Sequence, residues 1–117
     1  MGQTRVTVEV RTVAGGKRSW EELFLVDTGA VDCLVPASAL KKLRVPIEGQ
    51  IDCELADGTL REYDFGFIRV KFLGQETVCQ ALFGPDDTEP LLGVAALENT
   101  GRPHPLKHRR PLRRRAR

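Results

Sequence analysis

Residues Leu23 to Pro36 read LFLVDTGAVDCLVP. Four apolar residues run into Asp27-Thr28-Gly29, and the chain then returns to a strand-like run, Val31 to Val35. A turn between two strands of nearly continuous apolar character belongs near the core, not at a solvated hairpin tip. Asp27 therefore stands at the mouth of a buried strand. A carboxylate there is costly unless it is paired, hydrogen-bonded or used. Asp, Thr and Gly are all turn residues, so the tripeptide could be a bare turn. The apolar context on both sides argues against that reading, and it predicts an upward push on the Asp27 pKa unless hydrogen bonds oppose it.

The rest of the chain is built of short strand-like segments. Thr4 to Val13 alternates, with Val6, Val8 and Val10 on one face and Thr7, Glu9 and Arg11 on the other, the pattern of a half-buried strand. Ala14 to Lys17 reads as a hairpin loop, and Trp20 to Val26 as the returning strand. Pro36 to Leu43 predicts one or two helical turns, with Pro36 at the start and Lys41 and Lys42 near the end. Gln50 to Leu55 and Thr59 to Tyr63 flank Ala56-Asp57-Gly58, and Asp-Gly between strands is a two-residue hairpin signal. A long strand is expected from Phe65 to Phe72, a turn at Gly74 and a strand from Thr77 to Phe83. A polar loop over Gly84 to Pro90, a short apolar Leu91-Leu92-Gly93 and a short helix from Val94 to Asn99 complete the body. The fold class is mostly β, a small closed or nearly closed barrel with one or two short helices.

The 117 residues suit one domain with a modest core. The net charge of +2 hides a split. Residues 1–100 carry 10 Lys+Arg and 16 Asp+Glu, whereas residues 101–117 carry 8 basic residues and no acid. The expectation is a mildly acidic domain over residues 1–100 and a basic, Pro/Arg-rich, disordered tail over residues 101–117. No apolar run approaches a membrane span, and the N-terminus lacks a signal-peptide stretch. Val6 stands where a myristoylation signal takes Ser or Thr. A cytoplasmic protein with no membrane partner is therefore expected. Cys33, Cys53 and Cys79 lack metal-ligand spacing, and both histidines lie in the tail. They read as reduced core thiols, with no metal site and no cofactor.

A carboxylate in a sheltered turn, beside a hydroxyl and a glycine that admits close backbone approach, is the setting acid–base chemistry needs. With this, VDTGA resembles the active-site loop of retropepsin-type aspartic proteases, the small bacterial relatives included. Leu91-Leu92-Gly93 followed by VAALEN is similar to the family's second signal, two apolar residues and a glycine opening a short helix beneath the catalytic loop. Between them, CELADGTLREY resembles the flap hairpin. The three motifs occur in order over about residues 4–100.

The resemblance implies a fold, a reaction and a set of residues. The fold would be the small closed acid-protease barrel. The reaction would be hydrolysis of a polypeptide substrate by a water held between two aspartates that share a proton. Asp27 would supply one carboxylate, Thr28 would brace the pair, and Gly29 would let substrate backbone run close. Ala30 and Leu91 would line subsite walls, and Leu55, Ala56, Asp57 and Gly58 would belong to the flap over the substrate. Asp-Thr-Gly occurs once, so a protease must be a homodimer with Asp27 of each chain at the two-fold axis.

The tail departs from the family, whose members end in an interface strand. Pro103, Pro105 and Pro111 remove ladder donors, and no apolar alternation is present. The alternative function is thus a non-catalytic binding or dimerisation module with the same barrel. Nucleic-acid binding by the tail is not expected, because residues 101–117 contain no aromatic residue for base stacking. Asp86, Asp87 and Glu89 read as a solvated acidic loop, and Trp20 and the five phenylalanines as core.

Overall fold

The computed structural model describes residues 3–27, 29–54, 57–93, 95–96 and 114–115. The alternating N-terminal segment forms β1 (Arg5–Thr12), with Val8 and Val10 fully buried. It pairs antiparallel with β2 (Trp20–Asp27), in a register running from Arg5 opposite Leu25 to Val10 opposite Trp20. The strand β3 (Cys33–Pro36) leads into the helix α1 (Ala37–Lys42). Pro36 is its N-cap, the Ser38 amide donates to Asp86 Oδ1 at 2.9 Å, and Lys41 and Lys42 occupy the last turn. Cations there complement the helix dipole.

β4 (Gly49–Glu54) and β5 (Leu60–Phe72) form the next hairpin, and β6 (Gln75–Gly84) returns along β5. The β5–β6 turn is two residues long, with positive φ at both Leu73 and Gly74, the twist a tight hairpin requires. β7 (Leu91–Gly93) and β8 (Arg114–Arg115) complete the strands. The strands β1, β2, β7, β3, β6 and β5 follow one another in the sheet, and β5 pairs back onto β1. A six-strand ring is thereby closed. β4 and then β8 extend the sheet outward from β5.

Phe24, Leu40, Ile68, Leu92, Val8, Val10, Val35 and Val70 fill the interior at essentially zero exposure. Each such side chain contributes roughly 1.5–3 kcal/mol by leaving water.

Several boundaries differ from the sequence reading. β3 begins at Cys33, because Val31 and Asp32 bend to meet the segment after β7. β5 is one strand of thirteen residues, since the polar stretch Arg61 to Asp64 has β4 to pair with. Phe67 lies on the outward face of β5 and is 41% exposed, whereas Gly66, Ile68, Val70 and Phe72 form the inner face. The apolar run in β2 is likewise two-faced: Phe24 is fully buried, Val26 packs against the core, and Leu23 is 52% exposed. Of the helix expected over Val94 to Asn99, Ala95 and Ala96 are helical and buried, and the rest lies outside the described residues. All three cysteines are buried, as expected. No helix among the described residues is long and apolar enough to cross a membrane.

Candidate active site

Asp27 is the last residue of β2. Its mount is made by β7, which pairs parallel with β2 on one side and antiparallel with β3 on the other. β7 thus threads between the two strands that flank the Asp-Thr-Gly loop. The register sets Leu25 against Leu91, Val26 against Leu92 and Asp27 against Gly93. A side chain at position 93 has no room: a Cβ there would lie 2.4 Å from the Asp32 carbonyl oxygen and 2.5 Å from that of Val31. The glycine of Leu-Leu-Gly therefore lets the loop after Asp27 lie directly on β7. The Ala95 amide then donates to the Val31 carbonyl at 3.2 Å, tying the next turn to the same loop.

Within the loop, the Ala30 amide donates to the Asp27 carbonyl at 3.1 Å, and the Gly29 amide donates to Asp27 Oδ1 at 2.9 Å. The side chain is half-buried rather than sealed in the core.

Asp27 opens onto a cleft of about 290 Å³. Gly29, Ala30, Val31, Asp32, Leu34 and Leu91 line one side, and Cys53, Glu54, Tyr63 and Leu82 come from β4, β5 and β6. The walls are mainly apolar, with three carboxylates, Asp27, Asp32 and Glu54. Asp32 is 9% exposed and accepts a hydrogen bond from Gln80 Nε2 at 3.2 Å.

Of the residues named from the sequence, Asp27, Gly29, Ala30 and Leu91 all line this cleft. Thr28, Leu55 and Ala56 lie outside the described residues. Asp57 and Gly58 do not line the cleft. The last ladder pair of their hairpin is Glu54 with Leu60, so the pairing stops short of the two-residue turn that Asp-Gly signals. The reason is local. Asp57 Oδ1 accepts from both the Thr59 amide (3.0 Å) and the Thr59 hydroxyl (2.7 Å), and Gly58 takes φ +89°. Aspartate engaged this way builds an Asx-type turn. The Thr59 hydroxyl, then its amide, hold the Asp57 carboxyl below its ordinary range.

Val31, Asp32, Leu34, Cys53, Glu54, Tyr63 and Leu82 are cleft residues that the sequence reading does not include. Asp32 had a visible signal, a lone acid inside an apolar run. Val31 and Leu34 follow Asp27 closely in the chain, whereas Cys53, Glu54, Tyr63 and Leu82 reach the cleft from distant strands. A larger, mostly apolar groove of about 850 Å³ lies between the β1–β2 turn, the end of α1 and β5–β6, but it shares no lining residue with the Asp27 cleft. Among the described residues, no group of three or more His, Cys, Asp or Glu is arranged to hold a metal ion.

No protein-family model matches the chain, and no curated protein sequence does. Among solved structures, the chain is similar to the solution structure of the simian foamy virus (mac) protease, with a TM-score of 0.57 and 17% identity. The match covers 80% of this chain and 91% of that one. At this identity the likeness concerns the fold. The closed barrel, the strand threaded beneath the Asp-Thr-Gly loop and this similarity together give the chain a retropepsin-like fold.

Proposed function

We propose that the protein is an aspartic endopeptidase that acts as a homodimer, with Asp27 of each chain forming one catalytic pair. The observation that carries this reading is the mount of Asp27, held in register against Gly93 in a cleft that the β4–β5 hairpin also lines. A rigid, half-sheltered carboxylate is what a shared-proton pair requires. Two carboxylates in contact cannot both ionise cheaply, so they titrate as a unit. The ionised member takes a proton from water as that water attacks the scissile carbonyl, and the protonated member donates to the carbonyl oxygen. Thr28 would brace the two loops. Gly29, Ala30 and Leu91 would border the substrate backbone and side chains, with the hairpin tip, residues 55–58, as flap. Neither metal nor cofactor has a step in this scheme, and the substrate is a polypeptide.

The test is Asp27→Asn. It should lower peptide cleavage by about 10³-fold or more while leaving the circular dichroism spectrum and melting temperature unchanged. Cleavage equal to the parent would refute the proposal.

One observation favours the second reading, a binding module without turnover. The described tail residues, Arg114 and Arg115, pair with β4 of their own chain, so they do not serve there as strands exchanged between two chains. A chain monomeric at all concentrations would support that reading.

A further inference from the structure

β4 is paired with β5 on one side, and on its other side it carries β8. In this antiparallel ladder Asp52 is opposite Arg115 and Cys53 is opposite Arg114. The next strand continues the rows: Asp52 is opposite Glu62, and Cys53 is opposite Arg61. Residues directly opposite in a ladder share a face, and like charges so placed are destabilising. Asp52 and Glu62 are such a pair. Position 115, an arginine in the sequence, takes the third register position in their row.

The wider charge pattern agrees. Residues 48–64, which contain this hairpin, carry six acids and one base, while residues 101–117 carry eight bases and no acid. The two most strongly charged stretches of the chain are opposite in sign, and residues 114–115 of the one pair with residues 52–53 of the other. A bare β4 edge would also present unpaired backbone groups to other chains.

We infer that the outer edge of β4 is a docking strand for an extended arginine-rich segment, and that its occupant is the chain's own C-terminal tail, held by charge. Backbone pairing to an exposed edge supplies the contact, as in recognition by β-strand addition, and the acidic row selects the partner. Cys53 and Glu54 of the same strand line the Asp27 cleft. On this inference residues 114–115 form a strap on the strand that borders the cleft. This inference concerns binding and holds whether or not the cleft hydrolyses peptides.

Hydrogen exchange of the full-length chain over residues 49–54 tests it. Arg114→Glu with Arg115→Glu should speed exchange there about tenfold at low salt. Raising salt from about 0.05 M to 1 M should do the same to the parent, because the screening length falls to about 3 Å. Adding Asp52→Arg and Glu62→Arg to the arginine variant restores complementarity with the signs exchanged, and should return exchange to within about threefold of the parent. Exchange that ignores both salt and the arginine substitutions would overturn the inference. So would faster exchange that the charge swap fails to rescue. If the fourfold variant does not fold, the arginine variant and the salt series decide the matter, because neither arginine lies in the closed ring.

Discussion

Two aspartates of this chain sit in turns of nearly the same composition, Asp27-Thr28-Gly29 and Asp57-Gly58-Thr59, and their surroundings give them different work. Asp57 is at a hairpin tip, and one of its oxygens takes both donors of Thr59. Its carboxylate is engaged in holding its own turn. Asp27 accepts the Gly29 amide, but its position is fixed from outside the turn, by β7 beneath it. Local composition makes a turn in both places. A strand from far along the chain, pressed against the loop through a glycine, makes one of them a candidate site.

The sharpest way to break this comparison is to treat both aspartates alike. Asp27→Asn is expected to cost about 10³-fold or more in peptide cleavage, and Asp57→Asn, assayed in parallel, no more than about fivefold. Comparable losses would show that the two turns are not functionally distinct. The glycines give the next contrast. In Gly93→Ala the new methyl meets the Val31 and Asp32 backbone, and stability to urea should fall by about 3 kcal/mol or more. In Gly58→Ala the methyl meets open space but φ is +89°, so only about 1–2 kcal/mol is expected. The reverse order would mean that β7 does not support the loop as described.

The smallest effect concerns pH. The Asp57 carboxyl is held down by the Thr59 hydroxyl and amide. Its folded pKa is therefore below its unfolded value. The stability it contributes is present above the ordinary aspartate pKa of about 3.9 and is lost as pH falls through the depressed folded value. Asp57→Ala should lower the melting temperature by on the order of 2 °C at pH 7, and the difference from the parent should shrink steadily below about pH 4. A decrement that grows in acid would contradict the assignment of those hydrogen bonds.

Much of the site was legible because its signals are local. An apolar run ending in Asp-Thr-Gly located Asp27, Gly29 and Ala30, and Leu91-Leu92-Gly93 located the support. Strict alternation of Val6, Val8 and Val10 placed β1 and its inner face. What escaped depends on pairing. Cys53, Glu54, Tyr63 and Leu82 are ordinary strand residues, and they border the cleft only because the sheet brings β4, β5 and β6 to it. Phe67 and Leu23 look like core by hydropathy, yet the phase of their strands turns them outward. The Asp57 loop looked like a two-residue turn because Asp-Gly signals one, while the following threonine extends it by capping. The β4–β8 pair was hidden because an arginine-rich stretch carries no hydrophobic period from which a strand could be read.

One Asp-Thr-Gly per chain makes the catalytic proposal a claim about two chains. The most direct measurement is the mass of the full-length protein by sedimentation, over a wide range of concentrations. The account predicts a species of twice the 13.0 kDa chain mass, its population rising with concentration. A chain that remains at the mass of one copy at every concentration has no second Asp27 to share a proton with, and that result would contradict the protease.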